Sequence, residues 1–318
     1  MQGLKLGSNI LDAVNRLDFN FHSHEAVSRL PQELHTLFDH SGKRFRPALV
    51  FLFGEVFGLT EAELAPYARA VEMTHTASLV HDDVIDAASE RRKIPTINHR
   101  FNNTQAILAG DFLLARVIGD LLQHGRLEII QTLTDAIKDL ADGEWLQAHI
   151  KTRGMATWAE LETVARKKTG SLMMWSCLVP AKLSHQSDEL QVLCKTLGDD
   201  IGVFFQMLDD VNDFNPHSGK PFAADLRNGQ LNFVTVKMLE RNPELQASFE
   251  HFRQTGDFNC QAELQAALNE VVEFSLSLEK SLNERFALLA NDRSKASISI
   301  FAKMLIKVRE TFARPTLS

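Results

Sequence analysis

Through most of the chain apolar side chains return at every third or fourth position, as in Leu64, Ala68, Val71 and Leu79 and in Leu108, Phe112, Ala115, Ile118 and Leu122. That period matches the helical turn and predicts amphipathic helices with one buried face. Alternating Val/Ile/Thr runs bounded by turn residues are missing, and tyrosine occurs once, which leaves little to build a sheet from. Two segments break the rhythm and are predicted as loops: residues 90–98, with Arg91-Arg92-Lys93-Ile94-Pro95, and residues 215–229, with Pro216, Gly219-Lys220-Pro221 and Gly229. The pattern predicts an all-α fold of long, mostly antiparallel helices in a single domain over residues 1–318.

At the start, Leu4, Leu6, Ile10, Leu11, Val14 and Leu17 are interleaved with charge, which suits an amphipathic helix and not a signal peptide. The most apolar stretch, residues 48–59, is interrupted by Glu55 and is too short to cross a bilayer core of about 30 Å. With 318 residues, 44% of them hydrophobic, the chain can bury a large core, and no Gly-, Pro- or Ser-rich run divides it. A net charge of −7 and the lack of a dense Lys/Arg block argue against nucleic acid as the main partner. A local basic pocket could still bind a small anion. Cys177, Cys194 and Cys260 are odd in number and widely spaced, so they read as reduced, buried thiols without chemistry. The expectation is a soluble, cytoplasmic protein with no transmembrane segment.

The chemistry concentrates in two aspartate clusters of the form DDxxD, Asp82-Asp83-Val84-Ile85-Asp86 and Asp209-Asp210-Val211-Asn212-Asp213. On a helix, residues four apart share a face, so Asp82 with Asp86, and Asp209 with Asp213, can offer two carboxylates to one ligand. Asp83 and Asp210 are rotated by roughly 100° from that face and suit a supporting role. Hard carboxylate oxygens fit magnesium, which keeps several waters and is commonly shared with phosphates. The bland reading is a solvated acidic face. One DDxxD carries little weight against it, but two, each joined to an apolar helix (Leu79 and Val80; Val203, Phe204 and Met207) and each followed by a loop, carry a great deal. Basic residues stand near both: Lys43, Arg44 and Arg46 before Pro47, Arg91-Arg92, Lys167-Lys168 and Lys220. Acidic groups for cations and planar guanidinium forks for phosphate oxygens point to anionic substrates.

Taken together, Gly42-Lys43-Arg44-Phe45-Arg46-Pro47, the run from His75 to Asp83, Arg91-Arg92, Lys168-Thr169-Gly170, the run from Phe205 to Asp210 and Gly219-Lys220 resemble, in order, the motifs of the trans-prenyl diphosphate synthase family. The resemblance implies long helices around a central cavity, with the two aspartate-rich helices facing each other at its mouth, and a homodimer. It implies that Lys43, Arg46, His75 and Arg92 hold isopentenyl diphosphate, and that Arg91, Lys168, Thr169, Gln206 and Lys220 hold an allylic diphosphate. Asp82, Asp86 and Asp209 would be the Mg2+ ligands, acting with Lys168 on the departing group. Ionisation of the allylic substrate would give a carbocation, which the double bond of isopentenyl diphosphate attacks. Asp111 is expected to be structural or to support a ligand.

Lys93, Ala223, Gln230, Asn232 and Val234 depart from the family's usual residues, and the missing charge at Gln230 bears on allylic binding. A helix rises about 5.4 Å per turn, close to one isoprene unit, so the residues below Asp82 would gauge product length. Ala77 and Ser78, then Thr74 and Met73, lack bulky aromatics, and the expectation is a medium or long polyprenyl diphosphate. The alternatives are a short-chain (geranyl, farnesyl or geranylgeranyl) synthase, a non-catalytic partner subunit, a terpene cyclase, and a purely structural helical protein. The Lys43/Arg46 site argues against a cyclase, and the intact aspartates against a non-catalytic subunit.

Overall fold

The computed structural model describes residues 8–19, 37–38, 44–91, 94–218, 221–290 and 294–312. Lys43, Arg92, Lys93 and Lys220 lie outside these described residues. The helices are α1 (Ser8–Asn15), α2 (Phe45–Val56), α3 (Glu61–Ile85), α4 (Ile97–Arg100), α5 (Asn103–Leu122), α6 (Leu127–Arg153), α7 (Trp158–Val164), α8 (Ser171–Leu183), α9 (Asp188–Asp213), α10 (Ala224–Arg227), α11 (Phe233–Arg241), α12 (Leu245–Thr255), α13 (Gln261–Ala287) and α14 (Lys295–Phe312). A single π-helical turn, Ala165–Gly170, joins α7 to α8. The all-α expectation is met. The one strand pairing among the described residues joins β1 (Glu90–Arg91) to β2 (Ile94–Pro95), inside the first loop read from sequence. The second such loop contains α10.

The chain forms two compact units, residues 1–135 with 175–187 and residues 136–174 with 188–318. In the first, α3 is the spine. A capping box starts it, Glu63 N–H donating to the Thr60 hydroxyl and Thr60 N–H to the Glu63 carboxylate at 2.8 Å. Its buried side chains pack against α2 and α5, and α2 is buried from Pro47 to Val56 except at exposed Glu55. Gly54 permits the close approach of α2, because a Cβ there would stand 2.2 Å from Leu64 Cδ1. Arg44, with left-handed backbone (φ 45°), donates to Val14 O at 3.1 Å and Phe38 O at 3.3 Å and covers the Phe19 ring. The middle arginine of the Lys43–Arg46 run is therefore structural.

The second unit is organised by α9, which packs against the π-helical turn and α13. Gly198 and Gly202 mark where α9 crosses the chain around Gly170: a Cβ would lie 2.3 Å from Met174 Cα at the first and 2.2 Å from Gly170 Cα at the second. Interior helical glycines cost about 1 kcal/mol relative to alanine, and the crossing is the reason they are needed. Behind it lies a core that includes Val211, Phe214, Phe249, Phe252 and Leu264. No described helix is long and apolar enough to cross a membrane. All three cysteines are buried and form no disulfide, and burial pushes the Cys194 thiol up to about 12.

Candidate active site

In the first unit the last turn of α3 and its C-cap carry the first acidic cluster. Asp86 caps the helix and its N–H donates to Asp82 O at 2.8 Å, so the two residues stand one turn apart, Asp82 partly exposed and Asp86 exposed. Asp83 turns inward and is 6% exposed. Its Oδ1 accepts from Arg91 Nε at 2.9 Å and Nη2 at 2.8 Å, which holds the hairpin arginine against the helix end. Asn98 Nδ2 donates to Asp83 O at 3.1 Å and Ala88 O at 3.0 Å, tying the loop to the same end. Asp111 is exposed and lies 3.6 Å from His81 Nε2, which also contacts Ile107 O at 3.1 Å.

Arg46 sits in the first turn of α2. Its Nε is buried with no hydrogen-bond partner, and burial pushes the guanidinium down to about 10, opposed by the charge of buried Glu72 on α3. A buried cation with an unfilled donor is a poor resting arrangement and a good anion receptor. His75 is half-buried. Among the residues expected to gauge product length, Ala77, Thr74 and Met73 are 0%, 1% and 2% exposed, whereas Ser78 keeps accessible surface. The Thr74 hydroxyl donates back to Ala70 O at 2.9 Å. Along α3, His75, Ser78, Leu79 and Asp82 keep some accessible surface, while Ala77, Thr74 and Met73 are buried.

In the second unit α9 ends in Asp209, Asp210 and Asp213. Asp209 is partly exposed. Asp213 is buried and accepts from the N–H groups of Ala224 (3.0 Å) and Asp225 (3.2 Å), so it organises the following loop and does not share the outlook of Asp209. The helical spacing alone pairs Asp209 with Asp213; the loop amides claim Asp213 because they are unsatisfied donors at the start of α10. Asp210, also buried, accepts from Gln206 Nε2 at 2.8 Å and Phe233 N–H at 2.9 Å. Burial, the charge of Asp225 and that of Asp209 hold its carboxyl well above the usual range against those two bonds. Gln206 Oε1 accepts from the Thr169 hydroxyl at 2.9 Å, and Lys168 Nζ lies 2.5 Å from Glu144 Oε2 and 2.6 Å from Gln147 Oε1.

Of the departing positions, Lys93 lies outside the described residues and the other four are described. Ala223 has a left-handed backbone (φ 51°), the conformation that favours glycine. Asn232 caps α11 and donates to Asp225 at 3.3 Å, Val234 is fully buried, and Gln230 is anchored by its N–H to Asp225 O at 2.9 Å. Sequence reasoning missed Glu144 and Gln147. Their signal was Gly143 inside a helical pattern, where a Cβ would come within 2.7 Å of the Lys168 amide nitrogen.

Both long helices end in carboxylates at the negative end of their dipoles, and neither has a basic residue in its last turn. Each such placement is unfavourable by about 0.3–1 kcal/mol, and a cation reverses the sign. Among the described residues no group of three or more His, Cys, Asp or Glu forms a metal cage. Oxygen-only donors exposed in ones and twos fit a hard divalent ion that completes its coordination with water and phosphate oxygens.

The polyprenyl synthetase family profile matches residues 27–271. A prenyl transferase of Synechocystis sp. is 37% identical over 238 residues, 72% of this chain and 73% of that protein. A decaprenyl-diphosphate synthase of Dictyostelium discoideum is 34% identical over 246 residues, 76% of this chain but about half, 53%, of that longer protein. The crystal structure of a decaprenyl diphosphate synthase from Rhodobacter capsulatus superposes with a TM-score of 0.83 at 25% identity, covering 96% of each chain. Two aspartate-terminated helices, an arginine placed for an anion and a profile match over most of the length converge: this chain belongs to the polyprenyl synthetase family.

Proposed function

We propose that this chain, acting as one catalytic domain, is a magnesium-dependent trans-prenyl diphosphate synthase that condenses isopentenyl diphosphate with an allylic diphosphate. The observation that carries the reading is the pair of long helices ending in aspartates with no basic residue in the last turn. Asp82, Asp86 and Asp209 would hold the ions, which supply Lewis-acid stabilisation of the departing diphosphate. Arg46, with its unfilled buried donor, and His75 bind isopentenyl diphosphate, and Lys43 and Arg92 belong to the same set. Arg91, Lys168, Thr169 and Gln206 orient the allylic diphosphate, with Lys220 as the remaining cation. Their fixed hydrogen bonds pre-organise the charges that meet the leaving group. The decaprenyl names of two relatives and the accessible Ser78 favour a medium or long polyprenyl product.

The protein would act as a homodimer. On α5, Leu108, Phe112, Ala115, Gly119 and Leu122 recur at alternating spacings of four and three and are all exposed, the spacing of a helix seam that packs on its own copy. Leu108→Glu should convert the dimer to a monomer in sedimentation. The catalytic reading is tested by Asp82→Ala and Asp209→Ala. Each should lower turnover by about 10³-fold or more, as should chelation of divalent ions. Near-normal rates in either variant would remove the assignment.

A further inference from the structure

The middle aspartate of each acidic cluster has a different job from its neighbours. Asp83 and Asp210 are buried, at 6% and 3% exposure, and give protein donors one oxygen in the first case and both in the second. Asp83 Oδ1 takes both Nε and Nη2 of Arg91, at 2.9 and 2.8 Å. The Arg91 side chain is otherwise 39% exposed and sits on a two-residue strand that could not fix it alone. Two contacts from the Nε/Nη2 edge of the guanidinium to one oxygen fix its orientation and leave Nη1 directed away from the aspartate. In the second unit, Asp210 Oδ1 holds Gln206 Nε2 at 2.8 Å, and the Gln206 carbonyl oxygen is thereby turned to receive the Thr169 hydroxyl at 2.9 Å. Asp210 Oδ2 takes the Phe233 N–H at 2.9 Å, which locks the carboxylate itself. The amide of Gln206 can flip, and its orientation here is dictated by which atom Asp210 accepts from.

We propose that Asp83 and Asp210 are positioning residues for diphosphate recognition, Asp83 aiming Arg91 and Asp210 aiming the Gln206–Thr169 pair, and that neither is a metal ligand. This rests on the synthase reading, since it assigns what those side chains are aimed at. It separates three aspartates that the motif makes look equivalent: in the first cluster the outer two serve the ion and the middle one serves the arginine. An aspartate acting through Arg91 contributes nothing once Arg91 is gone, whereas a metal ligand contributes regardless.

The experiment is calorimetric binding of inorganic diphosphate in magnesium to wild type, Asp83→Asn, Arg91→Ala and the double variant, with folding checked by circular dichroism. Loss of a charged hydrogen bond corresponds to about tenfold in affinity. Asp83→Asn and Arg91→Ala should each weaken diphosphate by about tenfold, and the double variant should match Arg91→Ala. The magnesium concentration giving half-maximal binding should be unchanged in Asp83→Asn and raised in Asp82→Asn. In the second unit Asp210→Asn and Gln206→Ala should show the same non-additivity. Wild-type affinity in Asp83→Asn, multiplied losses in the double variant, or a shifted magnesium midpoint in Asp83→Asn would overturn the proposal. Arg91→Ala is an exposed change that keeps the test alive if Asp83→Asn folds poorly, because unaltered diphosphate binding in it also overturns the proposal. A wild type that binds diphosphate but turns over no prenyl substrate would count against the synthase reading alone, and one that binds no diphosphate would overturn both.

Discussion

Gly202→Ala is the smallest change expected to damage the second unit. The added Cβ would stand 2.2 Å from Gly170 Cα, 2.6 Å from Gly170 N and 3.2 Å from Thr169 C, all backbone atoms that cannot rotate aside. Carbon atoms settle at about 3.5–4.0 Å, so α9 and the π-helical turn must part by roughly 1.3 Å or more. The Thr169–Gln206 bond, 2.9 Å long, crosses this same gap and would be lost. Overpacking of this kind costs about 1–3 kcal/mol of stability. A shift of about 1 Å in groups that orient a substrate costs on the order of 10²-fold in rate. Thermal melts followed by circular dichroism and steady-state kinetics measure both. A variant with wild-type melting temperature and wild-type turnover would show that this crossing does not position Thr169, and the geometry argument would fail.

Ser78→Phe should shorten the product, read by mass spectrometry of dephosphorylated prenols, because Ser78 keeps accessible surface directly after buried Thr76 and Ala77. Ala77→Phe adds an aromatic ring at a wholly buried position and should lower stability by about 1–3 kcal/mol; a soluble, stable Ala77→Phe enzyme making shorter prenols would show that the ring enters the product channel instead. Burial raises the Asp199 carboxyl to about 6, with Asp200 and Asp139 adding to the rise and Lys195 and Arg166 opposing it. A folded-state value above the unfolded one means that the folded form gains protons, so stability is fullest below about pH 4 and declines as pH rises towards 6. Asp199→Asn should therefore raise the melting temperature relative to wild type at pH 8, by the equivalent of at most about 3 kcal/mol, and not at pH 4. An equal difference at both pH values would contradict the burial argument.

Helix positions were legible because an apolar period is a local constraint: the stripe that starts at Leu64 became the buried side of α3, whereas the stripe Leu108–Leu122, expected to be buried, lies on the exposed side of α5, whose buried side is formed by Ala106, Ala109, Leu113, Val117 and Leu121. The aspartates were legible by spacing, and Asp83 and Asp210 do turn away from the faces of Asp82 and Asp209. Asp213 was not, because its carboxylate is claimed by amides eleven and twelve residues later, a loop closure that no helical period encodes. The burial of Ala77, Thr74 and Met73 depends on which helix packs on which side of α3, and a single stripe does not specify its partner. The π-helical turn at Ala165–Gly170 was equally hidden. It inserts an extra residue per turn and so changes which way Lys168 and Thr169 face, with Glu144, Gln147 and Gln206 receiving them.

Incubation of the purified protein with isopentenyl diphosphate and each of dimethylallyl, geranyl and farnesyl diphosphate, with and without magnesium, tests the central claim most directly. Mass spectrometry of the dephosphorylated products should show a ladder rising by one isoprene unit past farnesol, present only with magnesium. Unchanged substrates in every mixture, or a cyclised product formed without consumption of isopentenyl diphosphate, would contradict the account.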